Sequence, residues 1–138
     1  MTFLDFFRIR VLDLGLNAYW CLRKRFPLRI LLCDVVLRDI PASTVFGHPY
    51  GVAIAAPVRL GENCVILQNV TIGHRRVFDG TEPGARIGNN VRICAGAIIL
   101  GPVAVGDGAI IGAGAVVLED VPAGAVAVGN PARVAAGL

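Results

Sequence analysis

Two histidines, His48 and His74, are the residues of this chain best suited to moving a proton near neutral pH. His48 stands in "VFGHPYGVAI", residues 45–54, just before aliphatic residues begin to recur at a fixed step. A neutral imidazole, with a reference pKa of roughly 6.5, can take the proton of a hydroxyl as that hydroxyl attacks a carbonyl. The tetrahedral oxyanion that follows needs donors, often backbone amides. Gly47 and Pro49 flank His48, so a turn residue that happens to carry an imidazole is the competing reading. Cys21, Cys33, Cys64 and Cys94 form no C-x-x-C pair and have no histidine at metal-ligand spacing. No metal is expected, and the cysteines are expected to be reduced thiols.

These residues need a scaffold, and the totals bound it. A chain of 138 residues fits one domain with one core. Its 55% hydrophobic content raises the membrane question. The uncharged run Ile93–Gly106 is punctuated by Gly and Pro and is too short to span. Asp5 precedes any basic residue, and Arg8 and Arg10 interrupt the first apolar run, unlike a signal peptide. A cytoplasmic location is expected. The net charge of +3 is modest, and basics are not interleaved with aromatics as a nucleic-acid surface would need.

The scaffold itself is written in steps of six. From Ile54 the markers are Leu60, Ile66 and Ile72; after a break they resume at Ile87, Ile93, Ile99, Val105, Ile111 and Val117. Glycine follows the marker at 61, 73, 88, 106 and 112. The residue four after each marker is small and apolar, as in Cys64, Val70, Ala97 and Ala115; only Arg76 breaks the rule. A short strand, a tight turn and another strand fit this period, with glycine permitting the turn. Helix does not fit, because each Gly or Pro inside one costs about 1 kcal/mol or more. Such strands bury nothing alone, so the coils must stack. Ile98 and Val116 precede markers and point outward by strand alternation, which suggests a subunit interface.

"LGENCV", "IGNNVR", "VGDGAI" and "IGAGAV" resemble the hexapeptide repeats of left-handed β-helix acyltransferases. "HPYGVAI", "ILQNVTIG" and "VLEDVPAGAVAVGNPARV" are similar to the serine O-acetyltransferase-like branch, over roughly residues 39–134. The resemblance implies a mainly β fold, a left-handed parallel β-helix of triangular coils, over residues 39–138. It implies an acetyl-CoA-dependent O-acetyltransferase that works as a homotrimer with sites shared between neighbours. His48 matches the base histidine. Asp39 in "RDIPAST" matches its acidic orienter, although the spacing to His48 is about one hexapeptide shorter than in the family. Ala95 and Ala113 match the small residues along which the pantetheine arm lies, and Arg133 matches a basic residue near the coenzyme's phosphates. The related γ-carbonic anhydrases need three zinc histidines, and two cannot supply them.

The acceptor is less defined. Serine acetyltransferases carry an Asp before the base histidine and an R-H-P stretch in a loop. Here Gly47 and Thr81-Glu82-Pro83 stand in those places. Either serine or a sugar hydroxyl of a surface polysaccharide is then the acceptor, with His74 and Glu82 as candidate substrate-loop residues. A non-catalytic binding solenoid is the alternative.

Two segments lie off the ruler. Fifteen residues separate Ile72 from Ile87 where six would do, so about nine enter a loop over 74–86, rich in turn chemistry such as Asp79-Gly80. Residues 1–38 read as an α-helical cap, since Leu4, Phe7, Val11, Leu14 and Ala18 form an apolar stripe. Phe3, Phe6 and Phe7 beside Arg8 and Arg10 suggest peripheral membrane contact as a second role for it.

Overall fold

A six-residue step leaves room for a very short strand and a bend, and the strands are two or three residues long. The computed structural model describes residues 33–35, 40–48, 50–55, 57–75 and 83–135. Three parallel sheets form three faces. Face A holds β1 (Cys33–Val35), β3 (Val52–Ile54), β6 (Thr71–Gly73), β9 (Ile98–Leu100) and β12 (Val116–Val117). Face B holds β4 (Arg59–Leu60), β7 (Arg86–Ile87) and β10 (Ala104–Val105), continued by a bridge from Val105 to Val121. Face C holds β2 (Val45–Phe46), β5 (Val65–Ile66), β8 (Arg92–Ile93), β11 (Ile110–Ile111) and β13 (Val126–Val128), edged by the antiparallel β14 (Arg133–Val134). From β3 onward the chain visits A, B and C in turn, so each circuit is one coil.

Register shows where the ruler bends. Ile54 pairs with Ile72 and Ile99 with Val117, each eighteen residues apart. Ile72 pairs with Ile99, twenty-seven apart, so nine residues leave the coil after β6. Phe46 pairs with Ile66, twenty apart, so two extra residues lie between β2 and β3. All ten markers are buried, as are all nine small apolar partners from Val58 to Val121. Dispersion and burial along that stack hold the coils together; each large aliphatic contributes about 1.5–3 kcal/mol.

The glycines that follow the markers are not the ones in left-handed conformation. A Cβ on Gly61 would come within 2.5 Å of the Gly88 backbone, so this seat is held by close approach between coils. Positive φ falls two residues later, at Asn63 (56°) and Asn90 (56°), where asparagine tolerates it. A polar ladder ties this corner between faces B and C. Asn89 Oδ1 accepts from the Glu62 amide at 2.9 Å, and Asp107 Oδ1 from the Asn89 amide at 2.7 Å. Cys64, fully buried, donates its thiol to the Gly88 carbonyl at 3.1 Å.

One expectation is corrected. Residues 33–35, read as part of a helical cap, are strand, in register with residues 52–54. An apolar run such as "LRILLCDVVL" serves strand or helix equally by pattern. The rest of the cap over 1–38 lies outside the described residues, as does any membrane contact made by it. No helix among the described residues is long and apolar enough to cross a membrane.

Candidate active site

The corner between faces C and A carries most of the expected site. Its turns stack through backbone bonds: Asn69 N donates to Tyr50 O (2.8 Å), Gly96 N to Gln68 O (2.9 Å) and Gly114 N to Ala95 O (2.9 Å). His48, Gln68, Ala95 and Ala113 therefore occupy successive coils of one edge. Below them Val116 N donates to Gly129 O and Ala132 N to Val116 O, which brings residues 129–132 under the same corner. Arg133 follows at once. Five coils at about 4.8 Å each put roughly 19 Å between the His48 turn and this end.

His48 is exposed because of the two extra residues. A strict count of six back from Ile54 would aim it inward. Instead Phe46 takes the inward seat, 3% exposed, and the chain at His48, Tyr50 and Gly51 turns outward. Gly51 turns the chain back at φ 64°, and a Cβ there would overlap the Asn69 amide. Tyr50 N closes the loop onto the His48 carbonyl at 2.8 Å. The imidazole is thus held on a short, braced excursion rather than in the core.

Lower on the edge the surface is open. Ala95 is half-buried and Ala113 exposed. A Cβ on Gly114 would meet nothing within 4 Å, and one on Gly96 nothing nearer than 3.9 Å. An elongated ligand can therefore lie close to the backbone here. Arg133 is exposed, with Nη1 donating to the Ala132 carbonyl at 2.9 Å. Gln68, which sequence reasoning passed over inside "ILQNVTIG", sits between the His48 and Ala95 turns. Its Oε1 is buried without a hydrogen-bond partner.

Other expected residues are not brought to this edge. His74 follows β6 at the corner between faces A and B, across the full width of face A from His48. Asp39 and Glu82 lie outside the described residues; Asp34 stands in register with Ala53 on face A. No group of three or more metal-ligating side chains is found among the described residues. Burial pushes the Cys64 thiol upward, but it belongs to the core and not to this edge.

Cavity size alone would look elsewhere. A shallow concavity of about 420 Å³ lies on face B beside Arg86, Ala104 and Asp120, and one of about 330 Å³ beside Arg59 and Arg86. We favour the corner, because an edge is convex and makes a groove only against a second surface. The outward residues beside it are largely aliphatic and half-buried: Ile98 and Val116 in register on face A, Val65, Ile110 and Val126 on face C.

Sequence and structure comparisons agree on the lineage. Residues 84–119 match the model for "Bacterial transferase hexapeptide (six repeats)". The serine acetyltransferase of Bacillus subtilis is 33% identical over 94% of this chain and 68% of its own length. That of Synechococcus elongatus is 35% identical over 85% of this chain and 52% of its own. A solved serine acetyltransferase in complex with CoA superposes with a TM-score of 0.60 at 39% identity, over 67% of this chain and 37% of that one. The chain belongs to the serine acetyltransferase family. It spans about half the length of most of the curated relatives it matches.

Proposed function

We propose that this protein transfers the acetyl group of acetyl-CoA to the hydroxyl of serine, with His48 as general base. The observation that carries the reading is His48 exposed at the head of the same edge that holds Ala95, Ala113 and Arg133. In this reading the coenzyme's arm runs along the alanines and its phosphates lie towards Arg133. Serine's hydroxyl gives its proton to an imidazole nitrogen of His48 as its oxygen attacks the thioester carbonyl. The tetrahedral intermediate collapses, the carbon–sulfur bond breaks, and the departing thiolate takes the proton back from the imidazolium. Asp39 would orient the ring.

The names of the relatives support serine, and a polysaccharide sugar finds no support among them. Gly47 and Thr81-Glu82-Pro83 still differ from the family's amino-acid clamp, so the ammonium and carboxylate would be held by other groups, with His74 and Glu82 the candidates. Because His74 stands a face away from His48, those groups would come from a neighbouring subunit. A homotrimer packed through the aliphatic columns of faces A and C would supply one and would turn the convex edge into a groove.

The test is release of free CoA thiol from acetyl-CoA with and without L-serine. Serine-dependent release is expected. Release that ignores serine but follows a hexose would replace the acceptor, and no release with either would favour a binding solenoid.

A further inference from the structure

We propose that face B carries an anion site, built by Arg59 and Arg86, for a phosphate group. The two arginines are direct partners on neighbouring parallel strands, one rung apart. Like charges placed opposite each other on one sheet face repel, a cost of some tenths of a kcal/mol or more. Among the described residues no ion pair offsets it. Both residues are exposed, and neither side chain makes a hydrogen bond or ion pair with another described residue. Asp120, the acid of the same outward column, accepts from the Ala104 amide at 2.7 Å. A repulsion left uncompensated on a rigid scaffold is what a site for an opposite charge looks like before it is filled.

The surroundings fit a small, compact anion. The arginines line a concavity of about 330 Å³ whose other walls are Pro57, Pro83, Gly84 and Pro102. Three prolines have fixed φ and give stiff walls. Gly84 presses so close to Pro57 that a Cβ would overlap the Pro57 carbonyl, so the wall on that side is also tight. Two guanidinium groups about 4.8 Å apart at their roots present two forks of N–H donors to one guest. Their summed charge matches a phosphate, which carries about −1.5 to −2 near neutrality and has three acceptor oxygens. A carboxylate's single charge would offset one arginine only.

Two sources share this chemistry: free phosphate-bearing small molecules, and a coenzyme whose phosphates reach face B from a neighbouring subunit. The site does not depend on the proposed acetyl transfer, and its test needs no turnover. The whole protein is titrated calorimetrically with inorganic phosphate, and separately with CoA and with pantetheine, at low ionic strength. Saturable phosphate binding is expected, weakened at least tenfold by Arg59→Gln and by Arg86→Gln. Arg92→Gln, on face C, should leave it unchanged. If CoA affinity falls with phosphate affinity while that of pantetheine holds, the coenzyme is the source; if CoA affinity is untouched, a separate ligand is. Phosphate binding that is absent, or that is equal in wild type and both face B variants, overturns the proposal. Circular dichroism and a urea midpoint no lower than that of wild type confirm that each variant is folded.

Discussion

Arg75 and Leu118 are joined across the coils that separate them: the guanidinium donates to the Leu118 carbonyl. On the way the side chain lies against Gly101, whose added Cβ would sit 3.1 Å from Arg75 Cγ. The contact straps the root of the inserted loop down the corner between faces A and B. Gly101 has φ 89°, so that position resists side chains on two counts. Arg75→Ala should lower the unfolding free energy by about 1 kcal/mol, the usual net value of such a bond. Gly101→Ala should cost about 1–2 kcal/mol. Urea midpoints at unchanged m-value check both; a Gly101→Ala midpoint equal to wild type would contradict the strap geometry.

The turns make a second prediction, because closeness and handedness fall on different residues. Gly61→Ala drives a Cβ into backbone, which cannot give way, and should cost about 1–3 kcal/mol. Asn63→Gly keeps the left-handed φ and should be nearly neutral, while Asn63→Val should be costly. Reversed ranking of Gly61→Ala and Asn63→Gly in thermal unfolding would mean that the two seats are misassigned.

How much of this was readable depends on distance along the chain. The core was legible because the markers repeat at six and eighteen, and a stacked solenoid brings those multiples into register. For the same reason Ala95 and Ala113 could be placed on one edge. The excursion at 47–51 was not countable in advance: a strict six sends His48 inward, and only the packing of Phe46 against the next coil moves it out. Glycine at turns was legible as a type but not by cause, since steric exclusion by the next coil and positive φ select the same residue. Arg75 gave no periodic signal, because its role rests on a contact between coils that no local pattern encodes. The strand at 33–35 was hidden in an apolar run that suits either element.

Cys64 supplies a pH prediction. Burial raises its thiol pKa in the folded chain, helped by the nearby Asp107 and Glu62 charges and opposed by a backbone hydrogen bond. The protonated form is the one the fold favours. Its contribution is complete below the unfolded thiol value, about 8.5, and is lost as pH rises towards the folded value. The stability gap between wild type and Cys64→Ala should therefore narrow as pH climbs above that range, by at most about 1.4 kcal/mol per unit. Half-buried Cys94 should react with a thiol reagent before Cys64 does. A gap that is constant from pH 8 to pH 10 would remove the argument.

The open edge makes a fourth prediction, which rests on the proposed coenzyme path. Ala113→Trp puts an indole on the exposed side of the strip where Gly114 leaves space. It should weaken CoA binding at least tenfold by calorimetry while leaving the unfolding midpoint within about 0.5 kcal/mol of wild type, as for other surface changes. Ile98→Lys, in the aliphatic column of face A, should instead shift light scattering from trimer to monomer. A wild-type chain that is monomeric at micromolar concentration would end the trimer proposal, and unchanged CoA affinity in Ala113→Trp would mean a different edge.

His48 is the last and most direct test. His48→Asn keeps a polar side chain of similar reach on the braced 47–51 excursion, so fold and CoA affinity should both survive. Turnover with serine should fall by roughly 10² or more, the usual worth of a positioned proton acceptor. Gly51→Ala offers an indirect version of the same test. Its φ of 64° and the Asn69 contact resist a methyl group, so the excursion should shift and turnover should drop with the imidazole still present. Near-wild-type turnover in His48→Asn, measured with an acceptor that works, would return His48 to the role of a turn residue and leave the base to be found elsewhere on the edge.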